Sequence, residues 1–241
     1  MVIESGSLKT LPKNMEMLKN INKFHVNFNH LQNFNVDVLQ YESLNSLDLS
    51  FNNITEHNEN LWVHPQLVNL YINSNRIPRM PENIFLPHLL FLDVSNNTIF
   101  NVATLGSDKL PSIIYLYLNG NNIGELPDKV GSWKDTLLYL GVARCRLKSI
   151  EKLKTLTKLT YIDARNNSLT LISDKVKGFI ASKKNFESYF WGNPVCKNDA
   201  ELNCNPLCTD YCWSHSGFKN NVCDHSCNSL ACDFDGGDCR Q

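Results

Sequence analysis

The chain has 241 residues, with 23 Lys and Arg against 24 Asp and Glu, a formal charge of −1, and 42% of its residues are hydrophobic. This balance argues against a nucleic-acid binder, which needs a clustered basic excess to neutralise phosphates, and against a disordered chain. No run of about 18 apolar residues occurs, so no membrane-spanning helix is expected.

The opening segment, MVIESGSLKTLP, lacks the basic and then apolar stretch of a secretion signal. Beyond it a template of the form L-x-x-L-x-L-x-x-N-x-L recurs seven times. The first copy is Ile21, Phe24, Val26, Asn29 and Leu31, and the second is Leu44, Leu47, Leu49, Asn52 and Ile54. The following copies place Asn75, Asn97, Asn121, Cys145 and Asn167 in the same position, at steps of 22 to 24 residues. Gly6 stands 23 residues before Asn29, with Ile3 and Leu8 in the apolar positions. The start therefore reads as the second half of a repeat, and N-terminal truncation is the expectation.

Five fixed positions recurring seven times resemble the leucine-rich repeat (LRR) family. The resemblance implies an α/β-type repeat solenoid, a horseshoe with a parallel sheet on its concave face, over residues 1–187. The residue types fit such a fold. In x-L-x-L-x, Leu47 and Leu49 point inward while Ser46, Asp48 and Ser50 point outward, and stacked neighbours bury what one strand cannot. A buried Asn amide can bond the backbone groups of adjacent coils, avoiding roughly 1–3 kcal/mol per unpaired group. Cys145 takes that position once and reads as a small structural residue.

Outward strand positions line up as columns. One reads Lys23, Ser46, Asn69, Phe91, Tyr115, Tyr139, Tyr161, and its neighbour His25, Asp48, Tyr71, Asp93, Tyr117, Gly141, Asp163. Tyr71, Phe91, Asp93, Tyr115, Tyr117, Tyr139, Tyr161 and Asp163 form a Tyr-rich amphipathic face of the kind that dominates protein–protein contacts, or a stack that only stabilises the sheet. The His residues are scattered, with His30, His57, His64 and His88 in connecting segments, and read as surface. No nucleophile–base, metalloprotease or phosphate-loop motif is present, so no enzyme activity is expected.

After the repeats, Phe186, Tyr189, Phe190 and Trp191 read as a cover for the open end of the core, within a cysteine-containing cap over residues 188–206. From Cys196 onward there are seven acids and three bases, and eight of the nine cysteines. Six of these run from Cys208 to Cys239 with spacing C-x3-C-x10-C-x3-C-x4-C-x6-C, ending in Asp235-Gly236-Gly237-Asp238-Cys239. Six cysteines allow fifteen pairings, which the sequence alone leaves open. So short a segment needs cross-links or a metal to fold. Two carboxylates around a Gly-Gly bend offer hard oxygens that suit Ca²⁺.

Spacing and ending resemble the Notch-type repeat (LNR), a small disulfide-rich, calcium-binding module, over residues 207–241. The resemblance implies the pairs Cys208–Cys232, Cys212–Cys227 and Cys223–Cys239, which leaves Cys196 for Cys204. It also implies Ca²⁺ ligands at Asn220, Asp235, Asp238 and the Gly217 carbonyl. Four disulfides place the protein in an oxidising, extracellular setting. The sequons at Asn53, Asn96 and Asn166 agree, although an Asn-rich repeat generates them readily. The sequence thus points to an extracellular interaction protein whose concave face binds a protein or glycan. Its rivals are the ectodomain of a membrane receptor or protease-regulated signalling protein, and a non-catalytic recognition fragment of a larger enzyme.

Overall fold

The computed structural model describes residues 1–204 apart from 4, 13, 14, 16–19, 58, 104 and 200. Each alternating segment forms a short strand. In chain order these are β1 (Lys23–His25), β2 (Asn33–Phe34), β3 (Ser46–Asp48), β4 (Glu56–His57), β5 (Asn69–Tyr71), β6 (Phe91–Asp93), β7 (Tyr115–Tyr117), β8 (Tyr139–Gly141), β9 (Tyr161–Asp163) and β10 (Glu187–Tyr189). Eight of them make one sheet in the order β1-β3-β5-β6-β7-β8-β9-β10, while β2 and β4 pair separately. Every pairing is parallel and without slippage, so Leu47, Leu70, Leu92 and Leu116 stand side by side. A one-residue slip would turn this row toward solvent, which is why the pattern pins the register. The fold is the expected leucine-rich repeat solenoid.

Behind the sheet the chain returns through turns and short 3-10 segments, such as Glu59–Val63 and Val130–Trp133, and through α1 (Asp174–Ala181). Ser173 caps α1, its hydroxyl accepting from Val176 N–H. Trp62 and Trp133 are fully buried on this side. Each indole N–H has a partner, His57 Nδ1 at 3.2 Å and Leu110 O at 3.0 Å respectively. One apolar core runs from Met15 to Val195. His64, which the sequence assigns to the surface, is buried in this layer at 1% exposure. Its Nδ1 accepts from Gln66 N–H and its Nε2 bonds the Tyr41 carbonyl, so both ring nitrogens are used to tie the return path together. Burial lowers its pKa, against the raising effect of its backbone hydrogen bonds.

The Asn column behaves as its chemistry requires. Asn52 Nδ2 donates to Val26 O at 3.0 Å and Leu49 O at 3.1 Å, and its Oδ1 accepts from Leu31 N–H at 3.0 Å. Asn75, Asn97, Asn121 and Asn167 repeat this set. Each amide thereby links its own repeat to the preceding one. Immediately before the column the chain turns left-handed in every copy, at Phe28, Phe51, Ser74, Asn96, Gly120, Arg144, Asn166 and Gly192. Only Gly takes positive φ without a side-chain penalty. At Gly120 and Gly192 there is a second reason: an added Cβ would collide with the side chains of Asn96 and Asn166.

Both ends extend the pattern. Val2 bridges to His25 in parallel, and Asn29 Nδ2 donates to Ile3 O at 2.9 Å, so the opening segment packs against the first full repeat. At the other end the aromatics do not simply cover the core. Phe190 is fully buried, but Trp191 is 42% exposed. Tyr189 lies on β10, which pairs with β9 and continues the sheet by one strand. Asn193 is buried and donates to Ala164 O and Phe190 O at 2.8 and 2.7 Å, an eighth member of the Asn column. Next to it a disulfide joins Cys196 to Cys204, as the resemblance implies, with Cα atoms 5.7 Å apart.

Candidate functional site

The pairing register sets the two outward columns side by side as the sequence predicts. Phe91, Tyr115, Tyr139 and Tyr161 are mutual neighbours across β6 to β9, and Asp48, Tyr71, Asp93 and Tyr117 across β3 to β7. Their rings are partly exposed and in contact. Tyr71 and Phe91 centroids lie 4.8 Å apart, Phe91 and Tyr117 5.5 Å, and Phe91 and Tyr115 5.8 Å. Tyr115 stacks on Tyr139 at 4.6 Å, and Tyr139, Tyr161 and Tyr189 continue at 5.6 Å each. Strands spaced about 4.8 Å apart make the run from β6 to β10 roughly 19 Å long. The side-chain gap at Gly141 serves this surface, since an added Cβ would meet the Tyr117 ring at 2.7 Å.

The acids of the second column differ in their partners. Asp163 is buried and held by Arg165, whose Nε and Nη2 donate to its two oxygens at 2.8 and 2.7 Å. Although it stands in the column, its carboxylate is occupied by that guanidinium. Asp48 instead accepts from Ser50 N–H and Oγ, and Asp93 from Ser95 N–H. Burial, and then the nearby Asp48, raise the pKa of Asp93, while Ser95 hydrogen bonding opposes them. The Tyr71 hydroxyl is also raised, first by burial and then by Asp48 and Asp93. At the N-terminal edge, His25 Nε2 bonds Ser46 Oγ at 3.0 Å.

Cys145 is fully buried in the Asn column. Its thiol bonds Leu118 O at 3.2 Å, and burial pushes its pKa to about 11, which suits a structural residue and not a nucleophile. The sequon residues Asn53 and Asn166 are partly exposed, and Asn96 is exposed. The proposed Ca²⁺ ligands Asn220, Asp235, Asp238 and Gly217 lie outside the described residues, as do Cys208, Cys212, Cys223, Cys227, Cys232 and Cys239. Among the described residues no cluster of His, Cys, Asp or Glu could hold a metal, and no helix is long and apolar enough to cross a membrane.

The sequence reading stops the columns at β9 and so misses Glu187, Tyr189 and Asn193. The signal was present, since Phe190 and Val195 flank Asn193 at the template's spacing. It was masked because Ser188 replaces the expected Leu and the step from Asn167 widens to 26 residues.

Solved structures with this architecture are leucine-rich repeat proteins. An LRR protein of Leptospira interrogans is 25% identical with a TM-score of 0.69, over 80% of this chain and 49% of that one. An internalin of Listeria monocytogenes is 24% identical with a TM-score of 0.62, over 74% of this chain and 50% of that one. A plant peptide hormone receptor, solved in complex with RGF2, is 19% identical with a TM-score of 0.58, over 80% of this chain and 30% of that one. The chain thus spans about half the length of the first two structures. A search of curated proteins finds no match. The described residues therefore have the leucine-rich repeat fold and are similar to these proteins. The C-terminal segment of the chain adds a second module: residues 201–240 match the family described as Notch: LNR domain.

Proposed function

We propose that the chain is an extracellular recognition protein without catalytic activity, in which the concave face binds a protein and the C-terminal module binds Ca²⁺. The observation that carries the first part is the continuous run of partly exposed aromatic rings from Tyr71 to Tyr189, joined ring to ring across six neighbouring strands. Tyr and Phe side chains supply large, stiff contact area at low entropic cost. Tyr71, Phe91, Asp93, Tyr115, Tyr117, Tyr139 and Tyr161 make this contact, and Asp163 fixes Arg165 at its edge. That one neighbouring solenoid is a peptide hormone receptor in complex supports a protein ligand over a glycan.

For the C-terminal module, the LNR match and a donor set of carboxylates, an amide and a carbonyl support Ca²⁺, a hard cation that prefers oxygen. There the ion would hold together a segment too small to fold on a hydrophobic core. The Cys196–Cys204 disulfide supports an oxidising compartment. In that compartment Asn53, Asn96 and Asn166 are acceptors for N-linked glycans. Calorimetric Ca²⁺ titration tests the module, with binding lost in Asp235→Ala; undiminished binding in that variant refutes the ligand set. The paired change Tyr115→Ala and Tyr139→Ala tests the face. It should weaken partner binding at least tenfold while the solenoid stays folded, whereas unfolding with unchanged affinity of the folded fraction would assign the rings to stability alone.

A further inference from the structure

Across β3 and β5 to β8 the outward strand positions are 46, 48, 69, 71, 91, 93, 115, 117, 139 and 141, and their only charged residues are Asp48 and Asp93. The positions two residues further on, Ser50, Asn73, Ser95, Asn119 and Ala143, add no charge. These positions on β3 and β5 to β8 therefore carry two negative charges and no positive one, with Lys23 and His25 beside them on β1. Asp163 shows how the same column neutralises an acid when the fold supplies the base, through the Arg165 fork. Asp48 and Asp93 have no such counter-ion among the described residues, and their hydrogen bonds come only from Ser50 and Ser95.

Between them stands Tyr71, one strand from each; its ring contacts Phe91, which in turn contacts Tyr117 on the far side of Asp93. We propose that this Asp48–Tyr71–Asp93 step, walled by Phe91 and Tyr117, receives an arginine or lysine side chain from an extended peptide segment lying on the concave face. The inference rests on the reading of that face as a binding surface and names the chemistry of its partner. Aromatic faces attract an organic cation within about 6 Å, more strongly once water is excluded. The two carboxylates, about two strand spacings or 10 Å apart, can flank a cation placed over Tyr71. They are too far apart to share a metal ion, whose oxygen ligands lie within about 2.6 Å of it. The Tyr run toward β10, roughly 19 Å long, matches about six extended residues of the same segment. A docked cation would offset, by direct attraction, the burial and the Asp48 repulsion that raise the pKa of Asp93.

The test is selection of random twelve-residue peptides on the full 241-residue chain, followed by titration calorimetry of the selected peptides. The expected result is enrichment of Arg or Lys, and at least tenfold weaker binding to the double variant Asp48→Asn/Asp93→Asn, which should melt no lower than the parent. Peptides without basic residues that depend on Tyr115 and Tyr139 but ignore the Asp changes would overturn this inference and leave the concave-face reading standing. Capture of glycans in place of peptides, binding indifferent to both sets of changes, or no selectable peptide at all would overturn both.

Discussion

Two columns of this solenoid are equally periodic and behave in opposite ways. The Asn column is closed: each of its amides donates to two or three carbonyls and accepts an N–H, all in the interior. The Asp48–Tyr71–Asp93–Tyr117 column is open, with rings partly exposed and two carboxylates that form no ion pair among the described residues. Recurrence in the sequence marks both, so recurrence alone does not separate what holds the fold from what the fold presents. The saturation of hydrogen bonds and charge does. A closed column has nothing left to offer a partner, while an open one costs the free protein something that a ligand can return.

The comparison can be broken most forcefully at the closed column. Asn75→Ala removes donors to Leu49 O and Ile72 O and the acceptor for Ile54 N–H. Orphaning these groups should cost about 3 kcal/mol in urea unfolding, and because each repeat leans on its neighbours, the loss should spread along the solenoid. A loss below about 1 kcal/mol would show that water replaces the amide and that the column is not closed.

A smaller effect, of opposite sign, is expected at the open column. A carboxyl with a folded-state pKa above its unfolded value adds stability below the unfolded value and loses that stability as pH rises through the folded one. Asp93 is raised by burial and by Asp48, with Tyr71 and Tyr117 facing it from the adjoining strands, so its ionised form at neutral pH is a burden on the free chain. Asp93→Asn should therefore melt higher than the parent at pH 7. The difference should close as pH falls toward the ordinary carboxylate value of 3.8. A lower melting temperature at pH 7 would place Asp93 among the structural residues.

The smallest effect is expected where the closed column is imperfect. Among the described residues the Cys145 side chain accepts no N–H from the preceding repeat, though its carbonyl takes that of Gly124, whereas the Asn121 side chain accepts from Ile99 and the Asn167 side chain from Leu147. Cys145→Asn should restore an acceptor opposite Ile123 N–H and stabilise the chain by about 0.5–1 kcal/mol. With its pKa near 11, the parent thiol should also resist alkylation at pH 8 in the folded state.

Much of this was legible in advance because a solenoid repeats one local decision. The alternation that sends Leu47 inward and Asp48 outward also sets the strand register, and the register sets the columns. Legibility failed where the local decision changed. Ser188 in a leucine position hid β10, and with it Tyr189 as the end of the aromatic run. Residue type likewise could not say that Asp163 is occupied while Asp93 is not, because the difference is made by Arg165 two residues further on. Arg165 lies at a position where β3, β6 and β8 carry Ser50, Ser95 and Ala143. His64 misled in the same way, since its partners lie at Tyr41 and Gln66, and the former is a full repeat distant.

The most direct measurement compares thermal unfolding with peptide affinity, in parallel, for single alanine variants along both columns. Variants of Asn52, Asn75 and Asn97 should lower the melting temperature and leave the affinity per folded molecule unchanged, whereas Tyr71, Tyr115 and Tyr139 variants should weaken binding by tenfold or more with melting shifts of only a few degrees. If the tyrosine variants instead unfold like the asparagine variants while their folded fraction binds as the parent does, the concave face is part of the scaffold and the account is wrong.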